Sequence, residues 1–155
     1  IETDPVAGFR QAVSDYRRLK NPRPSILMIN HGLGGGTQKH VHELARSVES
    51  GFRCYELAST NGKRAEIRSL SHDDGLQEFY EIPRQLDSLL KRLKVLGVIH
   101  VHFHHTIGLP LELFDLPALL GVGYDFTAHD FFTICPQINL VEDRGNYCGE
   151  PERTV

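Results

Sequence analysis

An α/β fold with a parallel sheet sandwiched by helices is predicted by three observations in this chain of 155 residues. Strand-like runs at 25–30, 52–58, 98–103 and 122–127 are separated by stretches whose apolar residues recur at helical spacing. Strands alternating with helices imply βαβ units and a parallel sheet. The first strand feeds the first helix through a turn containing Gly34, Gly35 and Gly36, which brings bare backbone N–H groups to a helix N-terminus, where the dipole favours an anion.

In chain order, Phe9, Ala12, Val13 and Tyr16 predict a short leading helix over 7–20, which Asn21-Pro22-Arg23-Pro24 ends. Ser25–Asn30 is almost wholly apolar, as in a strand covered on both faces. His31–Gly36 is a loop, with Thr37 the expected cap of the next helix. Val41, Leu44, Ala45 and Val48 share one helical face, and Gly51 ends that helix. Phe52–Ala58 is a strand. Glu66–Leu70 and Glu78–Ile82 alternate weakly around a Ser-His-Asp-Asp-Gly turn at 71–75, as a hairpin or two short edge strands would. Pro83 suits a helix start, and Leu86, Leu89, Leu90, Leu93 and Leu96 form an amphipathic helix closed by Gly97. Val98–Phe103 is a strand, Leu109–Leu120 a helical region dented by Pro110 and Pro117, and Val122–Thr127 a last strand weakened by Gly121 and Gly123. From Ala128 the pattern is loop-like, with a short strand expected at Ile138–Val141. Right-handed crossovers then make the fold Rossmann-like.

Residues 1–24 are read as leading helix and linker, 25–150 as the Rossmann-like domain, and 151–155 as the start of a continuation. Ile1 at the start and a polar, patternless end read as cuts, so the chain is expected to be one domain of a longer protein. A formal net charge of -3, with acids and bases mixed, argues against nucleic acid as a partner. No run approaches the roughly 18 apolar residues of a membrane span, and Ile1–Ala7 lacks the basic start and apolar core of a signal peptide. Three cysteines are not a secreted disulfide framework. Cys54 reads as a buried thiol, while Cys135 and Cys148 bracket a loop and suit a disulfide or half a zinc site.

Ligands of such sheets bind beyond the carboxyl ends of the strands, at the topological switch point. Three loops leave strands there: one with Gly34, Gly35, Gly36 and Gln38, one with His104, His105 and Thr106, and one with His129 and Asp130. The glycine loop lacks the GK[ST] of a P-loop, and Thr37 occupies the last glycine position of GxGxxG. A tight turn needing positive φ is the plain explanation, but three consecutive glycines exceed what a turn needs. His100, His102 and His104 alternate on one strand face. With His105 they suggest a metal site, although an HxHxDH hydrolase pattern would need Asp where His104 stands; local hydrogen bonding within the sheet is the alternative for His100 and His102. His104 and His105 reach the strand end and a ligand. His129 is a candidate proton acceptor or charge stabiliser near neutral pH, with Asp130 to orient it. His40, in the first turn of its helix, is placed to approach an anion, whereas His42 reads as solvated.

Gly-Gly-Gly-Thr-Gln-Lys-His-Val at 34–41 after Ile-Leu-Met-Ile-Asn, Val-Ile-His-Val-His-Phe-His-His at 98–105, and Phe-Thr-Ala-His-Asp-Phe-Phe at 126–132 followed by Cys-Pro-Gln-Ile-Asn-Leu at 135–140 occur in this order. Over residues 25–150 the chain resembles the N-terminal half of a GT-B fold, family 4 glycosyltransferase. The resemblance implies a nucleotide-sugar donor, a saccharide or lipid-linked acceptor, and a second Rossmann-like C-terminal domain with an E-x7-E motif that this chain lacks. It implies that the backbone at Gly35 and Gly36 approaches the donor diphosphate, that Gln38 sits toward the acceptor, and that His129 is the active-site histidine. It implies no metal and no cofactor beyond the donor. It also implies a cytoplasmic protein, peripheral at the inner membrane face if the acceptor is lipid-linked. Arg10, Arg17, Arg18, Lys20 and Arg23 cluster near the start, but such a cluster is ordinarily a solvated face. Thr37 departs from the small apolar residue frequent in that family's loop. Two other readings stand beside this one: a metal-dependent hydrolase using His100–His105, and a non-catalytic nucleotide- or sugar-binding module.

Overall fold

A computed structural model describes residues 22–59, 61–71, 75–133, 135 and 139–147. The leading helix over 7–20, its basic cluster up to Lys20, the turn residues 72–74, Ile138 and Cys148 lie outside the described residues.

Six strands form one sheet: β1 (Ser25–Asn30), β2 (Arg53–Ala58), β3 (Arg64–Ser69), β4 (Gln77–Glu81), β5 (Val98–Phe103) and β6 (Gly123–Phe126), in the order β4-β3-β2-β1-β5-β6. The sheet is mixed, not wholly parallel. β1 pairs parallel with β2 and β5, and β5 with β6, whereas β2–β3 and β3–β4 are antiparallel. The expected hairpin is β3–β4, and it extends one edge of the parallel block. Short connections can reverse a strand, but a parallel return needs a crossover of a dozen or more residues, and the segments flanking β3 are too short for one.

Helix α1 (Gly35–Val48) covers one face, and α2 (Leu86–Val95) and α3 (Leu116–Leu120) cover the other. Strand alternation divides the core accordingly. Met28 and Cys54 pack with Val41 and Ala45 of α1, with Leu44 and Val48 at the margin. Leu27, Ile29, Tyr55, Leu57, Val101 and Phe103 point the other way, onto Leu89, Leu93, Leu96, Leu113 and Leu116. Each fully buried leucine contributes about 1.5–3 kcal/mol of transfer free energy. Gly97 follows α2 at φ 72°, which lets the chain turn directly into β5.

Several boundaries differ from expectation. Gly34, not Thr37, caps α1, and Glu49 rather than Gly51 closes it. Pro83 lies in the turn before α2, and a 3-10 turn (Leu111–Asp115) precedes the short α3, which carries Pro117 in its first turn. At 138–141 the described residues contain only an isolated bridge, Val141 to Tyr147. No helix among the described residues is long and apolar enough to cross a membrane.

Cys54 is 1% exposed, and burial pushes its thiol up to about 11. Native protein is therefore expected to resist alkylation at Cys54 until it unfolds, as mass spectrometry after timed labelling would report. The raised value also sets a sign. Folding keeps the proton on, so this contribution to stability is complete below the unfolded thiol's range and is lost as pH rises toward the folded value, by at most about 1.4 kcal/mol per pH unit. Cys54→Ala should flatten that alkaline slope in urea titrations.

Candidate functional site

The order β2-β1-β5-β6 in the parallel block puts a topological switch point between β1 and β5. The loops after β1, β5 and β6 meet there, so the three loops singled out in the sequence converge. The β1 chain leaves through His31 and Gly32, and Gly34 and Gly35 take φ of 83° and 79°. Those two glycines are required by the backbone, since the Gly34 conformation is essentially closed to other residues. Gly36 is not among the positive-φ glycines, and a Cβ there would meet nothing within 4 Å. Neither conformation nor packing explains its missing side chain. The α1 N-terminus has no side-chain cap and no acidic residue in its first turn, so its N–H groups are left to a ligand or water. Gly36→Ala is accordingly expected to raise fold stability by about 0.5–1 kcal/mol, and Gly35→Ala to lower it by about 1 kcal/mol, read from urea unfolding.

Beneath the loop is a polar network that the sequence reading missed. Glu56 of β2 is fully buried. Arg68 of β3 donates to it from Nε at 2.6 Å and lies within 2.5 Å through Nη2. Asn30 Nδ2 donates to Glu56 Oε1 and to Gln38 Oε1, each at 3.1 Å, and Gln38 Nε2 donates to Glu56 Oε2 at 3.2 Å. Asn30 Oδ1 accepts the His31 N–H at 2.8 Å. The Gln38 side chain is thus engaged in anchoring α1 to β1 and β2, a role beyond the acceptor-facing one that the resemblance implies. The hint in the sequence was an acid, Glu56, among the mostly apolar residues of β2.

His100, His102 and His104 lie on the sheet face that α1 covers, opposite to Val101 and Phe103. Four contacts tie β5 and its loop to β6 and its loop, all between residues 25 apart. His100 Nε2 meets Asp125 Oδ1 at 3.0 Å, and His102 Nε2 meets Thr127 Oγ1 at 2.9 Å. His104 Nδ1 lies 3.3 Å from His129 Nε2, and His105 Nε2 lies 3.0 Å from Asp130 Oδ2. His102 Nδ1 also reaches Asp125 at 2.5 Å. His100 and His102 are thus engaged in local bonds, as the plainer sequence reading had it, and the row His100–His105 does not act as a single ligand set. Asp130 orients His105, not the adjacent His129.

Tautomers follow from the backbone. The Ile107 N–H donates to His105 Nδ1 at 3.2 Å, so the His105 proton sits on Nε2 and is donated to Asp130. Burial pushes the Asp130 carboxyl up, but the Phe132 N–H and the His105 ring outweigh it and hold the group below its ordinary range. His104 is fully buried, and burial, then His102, His129 and His40, push its imidazole down to about 3. Burial and the rings of His40 and His105 also lower His129, so both rings are neutral at pH 7.

His40, from the second turn of α1, completes the cluster. Its ring centroid lies 5.1 Å from that of His129 and 5.5 Å from that of His104. Its neighbours are therefore imidazoles rather than the helix N-terminus where an anion was expected. His42 lies 3.1 Å from Gln38 Nε2. On the α3 side of the sheet, a cavity of about 450 Å³ is walled by Phe103, Phe114, Tyr124, Phe126 and Phe132, the last stacked on His105 at 5.2 Å. A second, of about 240 Å³, lies on the other side of the glycine loop between Gly32, Arg64 and Arg68.

Comparison with protein-family models, with curated proteins and with solved structures returned no match.

Proposed function

We propose that the chain is the acceptor-side half of a GT-B glycosyltransferase, moving a sugar from a nucleotide-sugar donor to a saccharide or lipid-linked acceptor. The single observation that carries the reading is a meeting of distant segments. The uncapped, glycine-lined start of α1 and the neutral imidazole of His129 share one end of the sheet, linked through His40. In this reading the N–H groups at Gly35 and Gly36 face the leaving diphosphate across a cleft closed by a second domain, and its charge is stabilised by fixed dipoles. His129 stands beside the transferred sugar, where an N–H can stabilise developing charge. The unexplained space at Gly36 supports close approach of a ligand to the backbone. The aromatic cavity next to His105 offers apolar walls to the acceptor.

The test is donor breakdown and acceptor transfer by the chain joined to a donor domain, across a panel of nucleotide-diphosphate sugars. Turnover of one donor is expected, and Gly36→Ala, which should stabilise the fold, should weaken that donor's binding. No turnover across the panel, together with no nucleotide-sugar binding, overturns the reading.

A further inference from the structure

We propose that His40, His104 and His129 form a binding site for one zinc-class transition-metal ion, held by three imidazoles with a fourth position open to the cleft. Their ligand atoms all lie within 4.8 Å of one another. A tetrahedral ion with Zn–N bonds of about 2.0–2.1 Å requires its nitrogens to sit about 3.3–3.4 Å apart. The His104 Nδ1 to His129 Nε2 separation is already 3.3 Å. The third ligand, His40, is exposed on α1, where its ring is free of the tight packing that would fix its rotamer.

A second observation points the same way. His104 is fully buried, and the partner of its Nδ1 is another imidazole nitrogen, His129 Nε2. One proton can stand between two such nitrogens, and an ion in its place takes a lone pair from each ring at the separation already present. The donor set selects the ion. Three nitrogens and no carboxylate suit zinc, copper or nickel, and suit magnesium or manganese poorly. Three protein ligands with one open position is the arrangement in which zinc still binds an exchangeable group.

The site departs from the metal-free expectation that the resemblance carries. One consequence rests on the transferase reading: zinc would remove His129 from the transferred sugar, so zinc should inhibit transfer and chelator should restore it. The site itself does not depend on that reading.

The experiment is calorimetric titration of chelator-treated protein with Zn²⁺ alone, followed by X-ray absorption of the loaded protein. One ion per chain is expected, with three nitrogen neighbours at about 2.0–2.1 Å. Affinity should fall at least about tenfold in His40→Ala and in His129→Ala, and stay unchanged in His42→Ala and Cys135→Ser. Millimolar Mg²⁺ should not compete. His40 and His129 are used because His104→Ala threatens the core. Absent binding, sulfur neighbours in the spectrum, or affinity unchanged in both His40→Ala and His129→Ala would overturn the site. If zinc binds as described while no sugar is ever transferred, the transferase reading alone fails.

Discussion

If the chain serves a glycosyltransferase as proposed, His129→Ala is expected to lower the turnover of sugar transfer by about 10²- to 10³-fold, the usual cost of removing one fixed donor from a developing charge. The expectation rests on the neutral state of the ring, which burial and the neighbouring imidazoles enforce. The loss should fall on kcat rather than on donor KM, because the interaction strengthens only as charge develops. The side chain is partly exposed, so the variant should fold, and an unshifted thermal transition would establish that. Turnover equal to wild type would remove His129 from the mechanism, whatever the donor.

Arg68→Ala is expected to destabilise the fold by about 3 kcal/mol, the low end of what breaking a buried ion pair costs. Glu56 has 0% side-chain exposure and cannot find water when its partner leaves, but the Arg68 side chain is 37% exposed, and Asn30 and Gln38 still donate to the carboxylate. Those remaining donors keep the figure from the top of the range. Adding Glu56→Gln to Arg68→Ala should cost less than the sum of the two single changes, because it removes the stranded carboxylate. Urea unfolding followed by circular dichroism measures each. A loss below about 1 kcal/mol for Arg68→Ala would mean that the network does not hold α1 down. The same variant should loosen the glycine loop, since Asn30 and Gln38 link Glu56 to both ends of it.

Much of this architecture was legible in the residues. The βαβ order, both amphipathic helices and the convergence of three loops all follow from periodicity and from the rule for parallel sheets. The antiparallel attachment of β3 and β4 was half legible, as a hairpin whose orientation against β2 no local pattern encodes. The Glu56 network was not legible. It joins residues on β1, α1, β2 and β3, and a lone acid in a strand does not say which face it takes or who waits there. The imidazole neighbours of His40 were not legible for a related reason. Helical spacing tells which residues share a face, but how α1 is rotated over the sheet is settled by Val41 and Ala45 packing on Met28 and Cys54. Thr37 misled as a cap because a hydroxyl suits that position in general, whereas here two left-handed glycines set the entry of the chain.

The constant interval between the paired residues of β5 and β6 has a structural origin. His102 lies opposite Asp125, and His100 and His102 each lean toward the residue two places beyond their own partner, Asp125 and Thr127. The two strands therefore mesh like the teeth of a rack, and the cleft inherits its geometry from one alignment. Lengthening the connection at 106–121 changes the numerical interval and leaves the meshing alone. An extra residue inside β6 would turn its side chains to the other face, and the partners of His100, His102, His104 and His105 would disengage together. Such a cleft is inherited whole or lost whole, and drift in its chemistry is confined to exchanges that leave the pitch of these two strands intact.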